Sequence, residues 1–160
     1  MLASLRNFLA EQFSLETDSG ADTEHHELGL ATAALAMDIA RADETMDDAE
    51  RRHIAEAVAD YFSLAGPETE KIMQLADTRL EESVSLYDFT RQLNDGLDRQ
   101  ERVEIVRLLW DVAWADNEIH KYEEHFIRKI ADLLYVSHSD YIRAKLAAEE
   151  DRQRNGKKED

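Results

Sequence analysis

The sequence predicts an all-α fold, a compact bundle of about seven to eight helices, and three observations carry that prediction. Only five Gly and one Pro punctuate 160 residues. Ala, Leu, Glu and Arg, all strong helix formers, dominate the rest, and apolar residues return at helical spacing. Alternating β-rich runs, which would mark half-buried strands, are missing. With 43% hydrophobic residues, a chain of this length supports one buried core.

Taken in order, Leu2, Leu5, Phe8, Leu9 and Phe13 make an amphipathic first helix, and the polar Ser14 to Glu27, with Gly20 inside it, reads as a linker. The packed domain is therefore placed at 24–148, after an N-terminal helix and linker over 1–23. Leu28, Ala31, Leu35, Ile39 and Ala42 form one buried face of a second helix. After a break at Asp43 to Met46, a third helix spans about Asp47 to Phe62, with Ile54, Val58 and Tyr61 inward. Gly66 and Pro67 end it and open a fourth, which carries Ile72, Leu75 and Leu80 to about Glu82. Ser85 caps a fifth helix that closes at Asn94-Asp95-Gly96. Asp98, with Glu101 at capping-box spacing, opens a sixth through Val103, Val106, Leu109, Trp110 and Ala113. A seventh spans about His120 to Leu134, and Ser137 with Asp140 opens an eighth. The charged end, 149–160, is expected to be solvated or disordered.

Charge narrows the partners. Lys and Arg number 19 against 36 Asp and Glu, a net charge of -17, and no basic patch offsets it. Such a surface repels phosphate backbones, so no nucleic acid is expected, whereas cations and basic proteins are favoured. No Cys is present, which excludes disulfides and thiolate metal sites. No run approaches the roughly 18 apolar residues of a membrane span, and the N-terminus lacks a signal-type apolar run, so the expected compartment is the cytoplasm. The N-terminal stripe carries a single basic residue, Arg6. Packing on the bundle, or on a second subunit in a homodimer, suits it better than a membrane surface.

One unit is used twice. A shift of 73 residues carries Asp38 onto Asp111, Ala40 onto Ala113, Ala42-Asp43 onto Ala115-Asp116, Glu50 onto Glu123 and Ile54 onto Ile127. Helix, turn and helix are duplicated, and the Ala residues let the paired helices approach closely. Two copies suggest a pseudo-symmetric bundle, since a solenoid needs more.

These residues, together with LWDVAWADNEIHKYEEHFIRKIADLL and LYDFTRQLNDGLDRQERVEIVRLLW, resemble the TerB-like family, the helical domain named for tellurite-resistance protein B. The N-terminal MLASLRNFL is similar to a bacterial subgroup of it. The resemblance implies an all-helical bundle of about seven helices, acidic motif residues that chelate a divalent metal ion, and a role tied to tellurite resistance or stress response. Carried over position by position, the motif acids are Asp38, Asp43 and Glu50, then Asp111, Asp116 and Glu123. The Gly that follows the second Asp in the family pattern is Glu44 in one copy and Asn117 in the other. Asn tolerates a left-handed turn better than Glu does, so the second turn is the better preserved.

Physical chemistry leaves three readings of those acids open. On an unbroken helix, residues five apart diverge by about 140 degrees, but a turn lets carboxylates from two helix ends converge on a hard cation. Equally, Asp47 with Glu50 and His120 with Glu123 fit helix caps, while Asp43 and Asp116 fit bonds to the turn's own amides. A protein-recognition surface is the third. An EF-hand fails, because counting from Asp116 puts Lys121 where Gly is required and Ile127 where Glu is required. Glu50-Arg51-Arg52-His53 has di-iron spacing, yet its second-copy partner for His53 is Phe126. His25-His26-Glu27 reads as a solvated helix start or an accessory ligand set, and Trp110 with Trp114 as core. No phosphate loop, nucleophile elbow, HExxH or Cys nucleophile occurs, so an enzyme is not expected. A metal-dependent hydrolase and a metal-free module for an unidentified protein partner stand as the alternatives to a metal-binding module.

Overall fold

The segment LGLATAALAM is apolar all the way round, and a helix of that kind must lie inside the protein. In the computed structural model, which describes residues 20–41, 46–82, 84–116 and 119–158, it forms the middle of α1 (Gly20–Arg41). Side chains at 20–23, 116 and 155–158 lie outside the description. Leu30, Ala31, Ala33, Ala34, Leu35, Ala36 and Met37 are all fully buried. The one-faced helix expected from Leu28, Ala31 and Leu35 is thus a central helix, with its Ala residues admitting neighbours on every side.

Six further helices follow among the described residues, α2 (Asp48–Phe62), α3 (Gly66–Glu81), α4 (Leu86–Gly96), α5 (Arg99–Ala113), α6 (Lys121–Leu133) and α7 (His138–Lys158), the first five packed on α1 and the last on α5. A 3₁₀ turn, Trp114–Asp116, extends α5. No strand occurs among the described residues. Most starts follow the capping residues of the sequence. Asp47 Oδ1 accepts the Glu50 N–H at 2.8 Å, and Ser85 Oγ accepts from Tyr87 at 3.1 Å. Asp98 and Glu101 close a reciprocal capping box at 2.8 and 3.0 Å.

Two boundaries differ from expectation. Residues 20–27, read as linker, belong to α1, and His26 and Glu27 are buried. The His26 ring is held by Glu68 at 2.9 Å, and His25 bonds the Phe62 carbonyl, so polar composition here reflects contacts to α2 and α3. At the other end, 149–158 continue α7 instead of trailing as a tail. Asp151 pairs with Arg107, and Arg152 donates to the Trp114 carbonyl. The helix expected at 1–13 and the linker at 14–19 lie outside the described residues.

The duplication reaches further than the sequence suggested. α1 packs mainly on α3, as α5 does on α7, so each unit has three helices and α4 joins the two. α2 and α6 both end in a left-handed residue, Ser63 (φ 54) and Tyr135 (φ 57). Leu64 N–H then bonds Ala59 O at 2.9 Å, and Val136 N–H bonds Ala131 O at 3.0 Å, the same Schellman closure twice. Between those ends the offset is 72 residues, so one residue was lost within α6 relative to α2. At that offset, buried Thr69, Ile72 and Ala76 of α3 match buried Tyr141, Ala144 and Ala148 of α7. The His26–Glu68 contact likewise matches Arg99–Asp140 at 3.5 Å.

Candidate functional site

Each acidic turn begins in the last turns of a first helix. Asp38 lies in α1, half-buried, and burial pushes its carboxyl above the ordinary value of 3.8, against the opposing pull of Arg41. Asp111 occupies the equivalent place in α5. Burial raises it too, Arg107 at 3.3 Å draws it back down, and Asp151 adds a smaller upward push. Two carboxylates thus recur at one position of the duplicated unit, Asp38 half-buried and Asp111 exposed beside Arg107.

The remaining motif acids divide between caps and positions outside the description. Glu50 is half-buried at the third residue of α2, where its N–H is held by Asp47. Glu123, only 9% exposed, takes the matching place in α6, and its Oε1 accepts the His120 N–H at 3.3 Å. The expected capping role of Glu123 is therefore present. Asp43, Glu44 and Asn117, and the side chain of Asp116, fall outside the described residues.

The structure does not gather the described motif acids into one cluster. Among the described residues no three His, Asp or Glu side chains converge as a metal-ligand group. Asp38 and Asp111 each face an arginine of their own unit.

Both turns are braced from the third helix of their own unit. In the first, Arg41 before the turn and Arg51 after it converge on Asp77 of α3, at 3.1 and 2.8 Å. In the second, Asp151 of α7 pairs with Arg107, while Arg152 donates to the carbonyl of Trp114 at the turn itself. Neither brace was legible in the sequence, because the partners lie 26 to 44 residues apart.

Asp111 also lines an open groove of about 770 Å³ between α2 and α5. Ala57, Leu108 and Val112 form its apolar part, and Glu56, Asp60 and Glu104 add carboxylates. Tyr61 donates its hydroxyl to Glu104 at 2.9 Å, and burial together with that carboxylate pushes the phenol well above its ordinary range. His53 completes one end. Sequence reasoning passed over Glu56, Asp60 and Glu104, since exposed acids on helix faces read as solvated.

The aromatic residues behave mainly as core. Trp110 is fully buried against Tyr141 (ring centroids 5.6 Å apart), under the Lys145 ammonium, which itself pairs with Glu124 at 2.9 Å. Trp114 is half-buried at the 3₁₀ turn. No helix among the described residues is long and apolar enough to cross a membrane.

The family model described as tellurite resistance protein TerB matches residues 29–146, from the third turn of the buried helix to the middle of the last. No curated protein and no solved structure matches the chain significantly.

Proposed function

The chain belongs to the TerB family over residues 29–146, and from that membership we propose a helical module that binds a divalent cation at its duplicated acidic turns. The observation that carries the reading is the recurrence of Asp38 and Asp111 at equivalent positions of the duplicated unit, one half-buried and one exposed, each with its carboxyl held above the ordinary value. A carboxylate left short of solvent is a position where positive charge is favoured. The donor set is carboxylate only, which suits a hard cation such as Mg²⁺ or Ca²⁺ better than a thiolate-seeking one.

Asp111 and Glu123, with Asp116 between them in sequence, would hold the ion in the second copy, and Asp38, Glu50 and Asp43 in the first. A bound cation would neutralise part of the acidic surface and tie two helix ends together, and the family's description, tellurite resistance protein TerB, supports reading the module as one linked to tellurite resistance. For that, Asp111 must exchange Arg107 for the ion, so affinity is set partly by the ion pair it replaces. Glu123 favours a second reading for its own position, because its bond to the His120 N–H is a complete structural role.

Thermal melts in chelator and then in Mg²⁺, Ca²⁺, Mn²⁺ and Zn²⁺ test the proposal. At a hundredfold excess over Kd, mass action stabilises by about 2.7 kcal/mol. The expected result is a shift for a hard cation that disappears in Asp111→Ala/Asp116→Ala. Absence of a shift with every ion, or a full shift in that double variant, overturns it.

A further inference from the structure

We propose that the groove between α2 and α5 is the seat of a cationic amphipathic helix from a protein partner. The argument begins with the counterpart of the groove in the other unit. Across the duplication, the α2–α5 groove corresponds to the junction of α6 with α1, and there α4 fills the seat. It packs along α1 and reaches α6, where Asn94 Nδ2 donates to the Leu133 carbonyl at 2.9 Å. The chain lays α4 down by turning at Gly96 to Asp98 before α5. In the first unit α1 runs straight through the equivalent positions, 23–25, so no turn occurs there among the described residues. The seat remains open among the described residues, with helix-sized walls on both sides.

Its chemistry specifies the occupant. At the matched positions of α1 and α6, the two helices on which α4 packs, stand Ala31, Ala34, Leu35 and Ile130, all fully buried. At the same positions the open groove carries Glu104, Arg107, Leu108 and Ala57. Ala57 and Val112, both half-buried, leave an apolar strip over the buried Leu108, while Glu56, Asp60 and Glu104 set three carboxylates along it and Asp111 a fourth that is paired with Arg107. The one guanidinium of the lining, Arg107, is already paired with Asp111 and Asp151. A helix with an apolar stripe flanked by Lys or Arg complements this surface. The stripe of residues 1–13 carries only Arg6 as a basic side chain and fits it less well.

Fluorescence anisotropy with the full chain tests this, using a labelled 18-residue helical peptide of Leu, Ala and Lys and a control with every Lys replaced by Glu. Glu56 and Asp60 are exposed, so Glu56→Lys/Asp60→Lys perturbs the groove without opening the core. The expected result is binding of the Lys peptide alone, weakened by salt and reduced about tenfold or more in the double variant, with an unchanged circular dichroism spectrum. Equal binding to the double variant, equal binding of the Glu peptide, or no binding overturns the proposal. So does binding that emerges only in Leu5→Asp/Phe8→Asp, which assigns the seat to the chain's own N-terminal segment. Neither Glu56 nor Asp60 is a motif acid, and with the anisotropy run in chelator, so that no ion sits at Asp111 in the lining, the result is separable from cation binding.

Discussion

Replacing Glu123 by Gln and by Ala separates the two roles open to that side chain. As the third residue of α6 it accepts the His120 N–H at 3.3 Å from a position only 9% exposed. Gln keeps the acceptor and gives up the favourable charge at the helix start, about 0.5 kcal/mol, whereas Ala also leaves the amide unpaired and loses about 1 kcal/mol. At roughly 2–4 °C per kcal/mol for a chain of this size, Ala should lower Tm by about 2–4 °C in chelator and Gln by less. The proposed cation would add a contribution of a different size. Stabilisation of about 2.7 kcal/mol at a hundredfold excess raises the wild-type Tm by about 5–11 °C, and both variants should lose most of that rise. Differential scanning calorimetry with and without chelator reads both effects. A full cation shift in Glu123→Gln refutes its role as a ligand, and an unchanged Tm for Glu123→Ala in chelator refutes its role as a cap.

Four other outcomes are expected. The Asp38 carboxyl titrates higher in the folded chain than its ordinary 3.8, so its contribution favours folding when protonated at low pH and is lost as pH rises through the folded value. Urea melts of Asp38→Asn in chelator should therefore show greater stability than wild type at pH 7, with the difference fading below pH 3.8. Leu35→Ala opens a cavity in the fully buried middle of α1 and should cost about 3–5 kcal/mol by chemical denaturation. Gly96→Ala places a methyl 2.7 Å from Leu28 Cδ2 and 3.4 Å from its Cγ, inside a packed site, and should destabilise by about 1–3 kcal/mol by the same measurement. Tyr135, exposed and left-handed at φ 57, should tolerate Gly with a small gain, about 0.5 kcal/mol, visible as a higher Tm.

The helices were legible because their signals are local. Asp47, Ser85 and Asp98 announce starts within three residues, and Pro67 marks the start of α3. However, α2 ends at the left-handed Ser63, and Gly66, expected to end it, is the first residue of α3. Errors fell where composition stood in for contacts. The polar stretch at 20–27 is helical because His25 and His26 find partners on α2 and α3, and 151–152 are anchored by Arg107 and the Trp114 carbonyl. The all-round burial of α1 was visible in LGLATAALAM, but period counting selects one face and misses a helix buried on all of them. At the candidate site, the sequence supplied the equivalence of Asp38 with Asp111. It had no means of supplying Arg107, Asp77 or Asp151, whose proximity is created by the tertiary fold.

The braces on the two acidic turns imply that each unit carries its own adjustment point, remote in sequence from the acids it governs. Asp77 holds both arginines that flank the first turn, so neutralising it would slacken that turn without altering a single motif carboxylate. The second turn is held instead by Asp151 and Arg152, in the last helix of the chain. Cleavage after Ala148 would spare Asp111, Asp116 and Glu123 yet release the turn between them. The two copies of the unit can therefore diverge through substitutions in α3 and α7 alone, and proteolysis near the C-terminus would act on the contacts beside one turn and leave those beside the other intact.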